Sequence, residues 1–233
     1  MRNFQEKSML NTKRQAEIPA KPVRRIGVKT QHVRGQLVGG QEYESLLERD
    51  FLKILRFDPA VDTLLTQPLK ITYDVQGAKR TYVPDALVTF KPDSQGVVPK
   101  PVLYEVKPLE YAEHPDYSLA EKFSAATLYC DERNWIFKVV TEADISASRL
   151  ENINFLSRYQ GRPIHKGNRQ LIREQLARWN DCATIQALLT SIYRTPTAQA
   201  ELLPDIWTLL AAHELAVDLD LRLTMTSEIW IAR

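Results

Sequence analysis

The sequence predicts an α/β fold: a mixed-direction sheet flanked by helices, followed by a mainly helical C-terminal domain. Three observations lead there. Alternating apolar segments recur over residues 68–75, 79–90, 102–107 and 135–140, the period-two signature of strands half-buried on a core. A helical pattern over 118–130 separates the third from the fourth, so that pair is expected to run parallel through a crossover helix. Beyond about residue 146 helical patterns take over.

Residues 1–40 keep no lasting apolar period and are punctuated by Pro19, Pro22, Gly35, Gly39 and Gly40, which reads as an arm. From Gln41 apolar residues return at three- and four-residue steps, through Tyr43, Leu46, Leu47, Phe51, Ile54 and Leu55, as on one face of a helix. Asp58-Pro59 closes that helix, because the residue before proline is pushed out of the α region. Gln76-Gly77 is a turn, so that 79–90 folds back on 68–75 as a hairpin. Pro84 cannot donate to a ladder and marks an edge or a bulge. Pro92 and Gly96 punctuate the loop before the third strand. Further helices are expected over 149–159, 169–179, 183–193 and 202–215, with alternating runs at 216–223 and 228–231. Helices closed by a hairpin suggest a winged-helix-like domain. The organisation is an arm over 1–40, an α/β domain over 41–147 and the C-terminal domain over 148–233.

Composition narrows the function classes. At 233 residues, 44% hydrophobic and 26% charged, the chain is long enough to bury a core of its own. No run approaches the roughly 18 apolar residues that a membrane span needs, and the N-terminus lacks the apolar centre of a signal peptide. Cys130 and Cys182 have neither disulfide-framework nor zinc-site spacing; both are expected to be buried thiols in a reducing cytoplasm. The net charge of +2 hides an asymmetry: residues 1–40 carry nine Lys/Arg against two acids, +7, leaving −5 for the other 193. A basic arm on a slightly acidic body points to a phosphate-bearing partner, or to a solubilising tail.

Glu105 and Lys107 stand two apart on the third strand and therefore project from one face, with Tyr104 and Val106 on the other. Asp85 follows Pro84 in the preceding strand, among apolar Val83, Leu87 and Val88. If the strands are neighbours, Asp85 and Glu105 can converge on one cation. That suits phosphodiester hydrolysis: carboxylates hold the ion, the ion activates a water, and a lysine orients or polarises the nucleophile. The competing explanation is a cross-strand ion pair on a solvated face, Glu105 with Lys107 or with Arg80. The order of elements decides against it. A helix bearing Glu48 comes first, then the Pro-Asp strand, then Glu-x-Lys after 19 residues, then a helix and a strand.

That order resembles the restriction-endonuclease-like core of PD-(D/E)XK nucleases. The segments Leu46-Leu47-Glu48-Arg49-Asp50-Phe51, Gln67-Pro68, Tyr82-Val83-Pro84-Asp85-Ala86-Leu87-Val88 and Tyr104-Glu105-Val106-Lys107-Pro108 resemble TnsA, the endonuclease subunit of heteromeric bacterial transposases. Ala86 departs from the pattern, where an aromatic is more usual. The resemblance implies that Glu48 and Asp85 are metal ligands, that Glu105 fills the third acidic or amide position, and that Lys107 is the catalytic lysine. It implies Mg²⁺, with Mn²⁺ as a substitute. It also implies cleavage at the 5′ ends of a transposon, a TnsB-type transposase acting on the 3′ ends, and a TnsC-type AAA+ regulator contacted by the C-terminal domain. Double-stranded DNA is then the substrate and the bacterial nucleoid the place of action. A stand-alone nuclease of repair or restriction, and an inactive DNA-binding adaptor, are the alternative readings.

Other polar residues take plainer roles. Glu42 and Glu44 suit the negatively favoured start of a helix, and Lys122 a solvated helix face. His32, His114 and His165 lack metal-ligand spacing, while His213 sits on an apolar helix with Trp207. Trp179, Trp207 and Trp230 are expected to pack in the core. Arg169, Arg173, Arg178 and Arg194 suit a DNA- or protein-facing surface, or simply a solvated one. The arm generates a test of its own. Deleting residues 1–34 should weaken DNA binding and flatten its salt dependence by about 0.9 for each phosphate that the arm neutralises, measured as the slope of log affinity against log salt.

Overall fold

The computed structural model describes residues 45–232 and the short pieces 18–19, 21, 35–36 and 42–43. Glu44, the side chain of Glu42 and nearly all of the basic arm lie outside the described residues. Two-residue strands β1 (Gly35–Gln36) and β2 (Glu42–Tyr43) pair antiparallel ahead of helix α1 (Leu46–Phe57). The helix therefore starts five residues later than its apolar period suggests. Ser45 explains the start: its hydroxyl accepts the Glu48 amide at 3.0 Å, satisfying one of the orphan donors of the first turn. Asp58 ends the helix in an extended conformation before Pro59, as expected.

The central sheet holds four strands in the order β3 (Val61–Thr66), β6 (Ala86–Phe90), β7 (Val102–Val106) and β8 (Ile136–Val140). The first two pairings are antiparallel and β7 runs parallel to β8, through the crossover made by α3 (Tyr117–Asp131). A one-turn helix α2 (Leu109–Glu113) precedes α3. Strand alternation then sorts the core into two layers. Ala86, Val88, Val102, Tyr104 and Val106 pack with Phe51, Leu52 and Leu55 of α1. On the other face Leu87 and Leu103 pack with Ala125, Ala126 and Cys130 of α3. Cys130 is buried as expected and Cys182 half-buried.

One strand of the sequence reading becomes two. Residues 79–90 break into β5 (Ala78–Tyr82), which pairs with β4 (Ile71–Val75) as a separate hairpin, and β6, which joins the main sheet. Pro84 lies at the break, where the ladder would need the amide that proline lacks. The hairpin turn is as read: Gln76 and Gly77 both take positive φ, 53° and 82°, as a type I′ turn requires. Strand β3 is an addition, hidden because Val61-Asp62-Thr63-Leu64-Leu65-Thr66 does not alternate cleanly.

The C-terminal region contains α4 (Ala147–Leu156), α5 (Lys166–Ala177), α6 (Ile185–Ile192) and α7 (Pro196–Ala211). They pack round a core that includes Ile172, Leu176, Leu188, Leu202, Ile206 and Leu209. A three-stranded antiparallel sheet closes it, in the order β10 (Leu215–Val217), β11 (Glu228–Ile231), β9 (Cys182–Thr184). Helix α7 begins at a Thr195 cap and continues through Pro204, earlier than expected. The run 216–223 is a strand only as far as Val217, because Asp218 takes the Asp220 amide into a turn at 2.9 Å. Of the three tryptophans of this region only Trp207 is core; Trp179 and Trp230 stand 38% and 39% exposed, a correction to their expected burial. His213 is half-buried, with its ring edge-on to Phe57 at 4.8 Å between centroids. Among the described residues no helix is long and apolar enough to cross a membrane.

Helix α1 should depend on its cap. Ser45→Ala is expected to lower stability by about 1 kcal/mol, read as a fall in the urea midpoint at unchanged slope.

Candidate active site

The site forms where the β6–β7 ladder gives out. Its last regular pair is Ala86 with Tyr104. Beyond it the Asp85 amide donates to the Tyr104 carbonyl at 3.1 Å, and the Gln67 amide donates to the Asp85 carbonyl at 2.8 Å. The next acceptor is no longer backbone: Asp85 Oδ2 takes the Val106 amide at 2.7 Å. Asp85 is thereby held from three sides. Lys107 is fixed from the opposite edge, its amide donating to the Val140 carbonyl of β8 at 2.9 Å.

Glu105 is 3% exposed, and both of its oxygens are occupied. Lys107 Nζ lies 2.5 Å from Oε1, and the Tyr82 hydroxyl donates to Oε2 at 2.5 Å. Lys107 also donates to the Val106 carbonyl at 3.2 Å, and its side chain remains 30% exposed. The pair is thus not a solvated cross-strand bridge, and Arg80 turns to Glu121 instead, at 3.6 Å. A buried ion pair adds little net stability over an apolar one; its presence here fits chemistry better than architecture.

Glu48, on the third residue of α1, is buried and close enough to act on both Asp85 and Lys107. Burial, then the charge of Glu105, drives the Asp85 carboxyl well above its usual range; Lys107 opposes this, Glu48 adds to it, and the Val106 amide opposes it again. Burial pulls the Lys107 ammonium down, but Asp85, Glu105 and Glu48 outweigh it and leave the lysine more basic than usual. The Tyr82 phenol is pushed far up, by burial first and by Glu105 next, so it stays protonated and donates. Structure thus brings Glu48, Asp85, Glu105 and Lys107 into one electrostatic group. Tyr82 is the member that sequence reasoning missed; it entered there only within the segment that resembles TnsA, with no role of its own.

The donor set is three hard carboxylates, the chemistry that suits Mg²⁺. As they stand, no three His, Cys, Asp or Glu side chains among the described residues are grouped to hold a metal ion. Glu105 meanwhile faces Tyr82 and Lys107.

Sheet order, flanking helices and the acid–lysine grouping at the Pro-Asp break are those of a restriction-endonuclease-like nuclease. Family comparison is more specific: the TnsA-like endonuclease N-terminal model matches residues 58–142, and the TnsA endonuclease C-terminal model matches residues 144–219. The chain belongs to the TnsA family of transposon endonucleases. Asp85, Glu105 and Lys107 fall inside the first match and Glu48 just ahead of it. No curated protein matches the chain.

The raised Asp85 carboxyl carries a stability consequence. A folded-state value above the unfolded one means that the folded chain binds the extra proton, so stability falls as pH rises from the ordinary aspartate range through the raised one. Asp85→Asn keeps an oxygen for the Val106 amide and removes the like charge. It should raise stability at neutral pH by on the order of 1 kcal/mol and flatten that pH dependence, read by thermal melts across pH, while cleavage is lost.

Proposed function

We propose that this chain hydrolyses one DNA strand at each end of a transposon, cutting the 5′ ends in a divalent-metal-dependent reaction. The observation that carries the reading is the convergence of Asp85, Glu105 and Lys107, from two neighbouring strands, with Glu48 from α1. Glu48, Asp85 and Glu105 would hold Mg²⁺, or Mn²⁺ in its place; burial first, and then the charges of Glu105 and Glu48, raise Asp85, and such an ion would offset both. When bound, the ion supplies Lewis acidity at the scissile phosphate.

The chain's own residues do the rest. Lys107, partly exposed and more basic than usual, stays an ammonium that orients the attacking water and meets the charge growing on the phosphate. Glu105 holds that ammonium in place, and Asp85 is pinned by three backbone bonds, so neither must reorganise far as the reaction proceeds. The basic arm supplies phosphate contacts that carry no sequence information.

Within the same reading the partners are a TnsB-type transposase, which cuts and joins the 3′ ends, and a TnsC-type AAA+ regulator that docks on the C-terminal region. The arm, the nuclease unit over 41–147 and the partner-contacting unit over 148–233 then divide the labour.

Asp85→Ala should abolish strand cleavage and leave partner binding intact, at a cost of about 1–3 kcal/mol in stability for the Val106 amide it leaves unpaired. Because the partner still joins the 3′ ends, transposition should shift from simple insertions to donor-linked cointegrates. Counting product types from an Asp85→Ala donor assay tests this; simple insertions at the wild-type ratio would exclude a role in donor excision.

A further inference from the structure

We infer that Tyr82 is a positioning residue for strand cleavage, fixing the orientation of Glu105 and, through it, the ammonium of Lys107. The inference rests on the reading of Glu105 and Lys107 as part of the cleavage site. Tyr82 sits at the end of β5, paired with Ile71, in the hairpin that stands apart from the main sheet. Its ring is 6% exposed and packs with Leu69, Ile71, Leu87 and Leu103, so the phenol oxygen has little freedom to move. That oxygen donates to Glu105 Oε2 at 2.5 Å, and Lys107 Nζ meets the other oxygen, Oε1, at 2.5 Å.

Direction of service follows from relative difficulty. A buried tyrosine hydroxyl needs a partner, but a backbone carbonyl would satisfy it without placing an ionised group in the interior. A buried carboxylate is far harder to accommodate and needs donors on both oxygens. Here one donor is a lysine that the reaction needs, and the other is a rigid phenol. With the phenol removed, Oε2 loses its fixed donor and the carboxylate can turn about its last torsion, which is broad and roughly two-fold. Lys107 then follows its counter-ion. The β4–β5 hairpin thus contributes a single hydroxyl to the site from outside the sheet that builds the rest of it.

Tyr82→Phe, in the full chain, removes one oxygen and little packing. Cleavage of a transposon-end duplex, assayed with the partner transposase, should slow about ten- to a hundredfold in kcat, the range found for groups that orient metal-site residues. KM for the duplex, and duplex affinity without divalent cation, should not change. Affinity of the DNA-free protein for Mn²⁺, measured by calorimetry, should weaken, and the melting temperature should hold within a few degrees. Wild-type kcat in Tyr82→Phe, with Glu105→Ala inactive, would overturn the Tyr82 assignment alone. So would a loss that appears in KM or tracks a large fall in melting temperature, as for a merely structural tyrosine. Wild-type cleavage by Glu105→Ala would remove the site reading itself, and the assignment with it.

Discussion

The Asp85 carboxylate stands in for a backbone carbonyl, and the nuclease half of the chain is organised round that substitution. A sheet normally ends where its strands run out of partners. Here β6 and β7 part while both still have chain to offer, and Asp85 Oδ2 closes the gap by taking the Val106 amide. Pro84 makes the parting unavoidable, since it has no amide for the ladder. The separation releases β5 to form its own hairpin with β4, from which Tyr82 reaches Glu105. A single Pro-Asp pair thus sets the edge of the sheet, the course of the hairpin and the position of the acid group.

Much of this was legible in the chain. Crossover and parallel pairing of β7 with β8 followed from strand–helix–strand patterning, and the Gln76-Gly77 turn from its residues alone. That Glu105 and Lys107 share a face followed from their two-residue spacing. What stayed hidden depended on contacts between distant segments. Strand β3 carries no clean alternation, because it runs along an edge of the sheet where only β6 pairs with it and most of its side chains are partly or fully exposed. Helix α1 starts late because a local cap at Ser45 overrides an apolar period that extends upstream. Nothing in the sequence set Tyr82 apart from its strand neighbours; only the register with Ile71 and the packing on Leu103 bring its hydroxyl to Glu105.

The site's electrostatics explain why it is both assembled and uneasy. Three acids gather round one lysine, and Asp85, raised by burial first and by the charge of Glu105 next, prefers to keep its proton. Such frustration is the usual mark of a functional site: local rules of stability are broken where chemistry needs them broken. The surrounding scaffold absorbs the strain with two apolar layers and a helix on each face.

Helix α1 belongs to both halves of the molecule. Its first turn carries Glu48, its middle covers the sheet with Phe51, Leu52 and Leu55, and its last turn sends Phe57 into the C-terminal core beside Leu156 and Leu210, with Ile54 against it. Lys53 adds a hydrogen bond to Asn154 at 3.0 Å. Twelve residues of helix make a rod about 18 Å long, stiff enough that one end cannot shift without the other. The two halves therefore share one packed element and are not beads on a string. Glu48 and Phe57 stand near opposite ends of that one helix, so the acid group and the C-terminal core are held by the same rod.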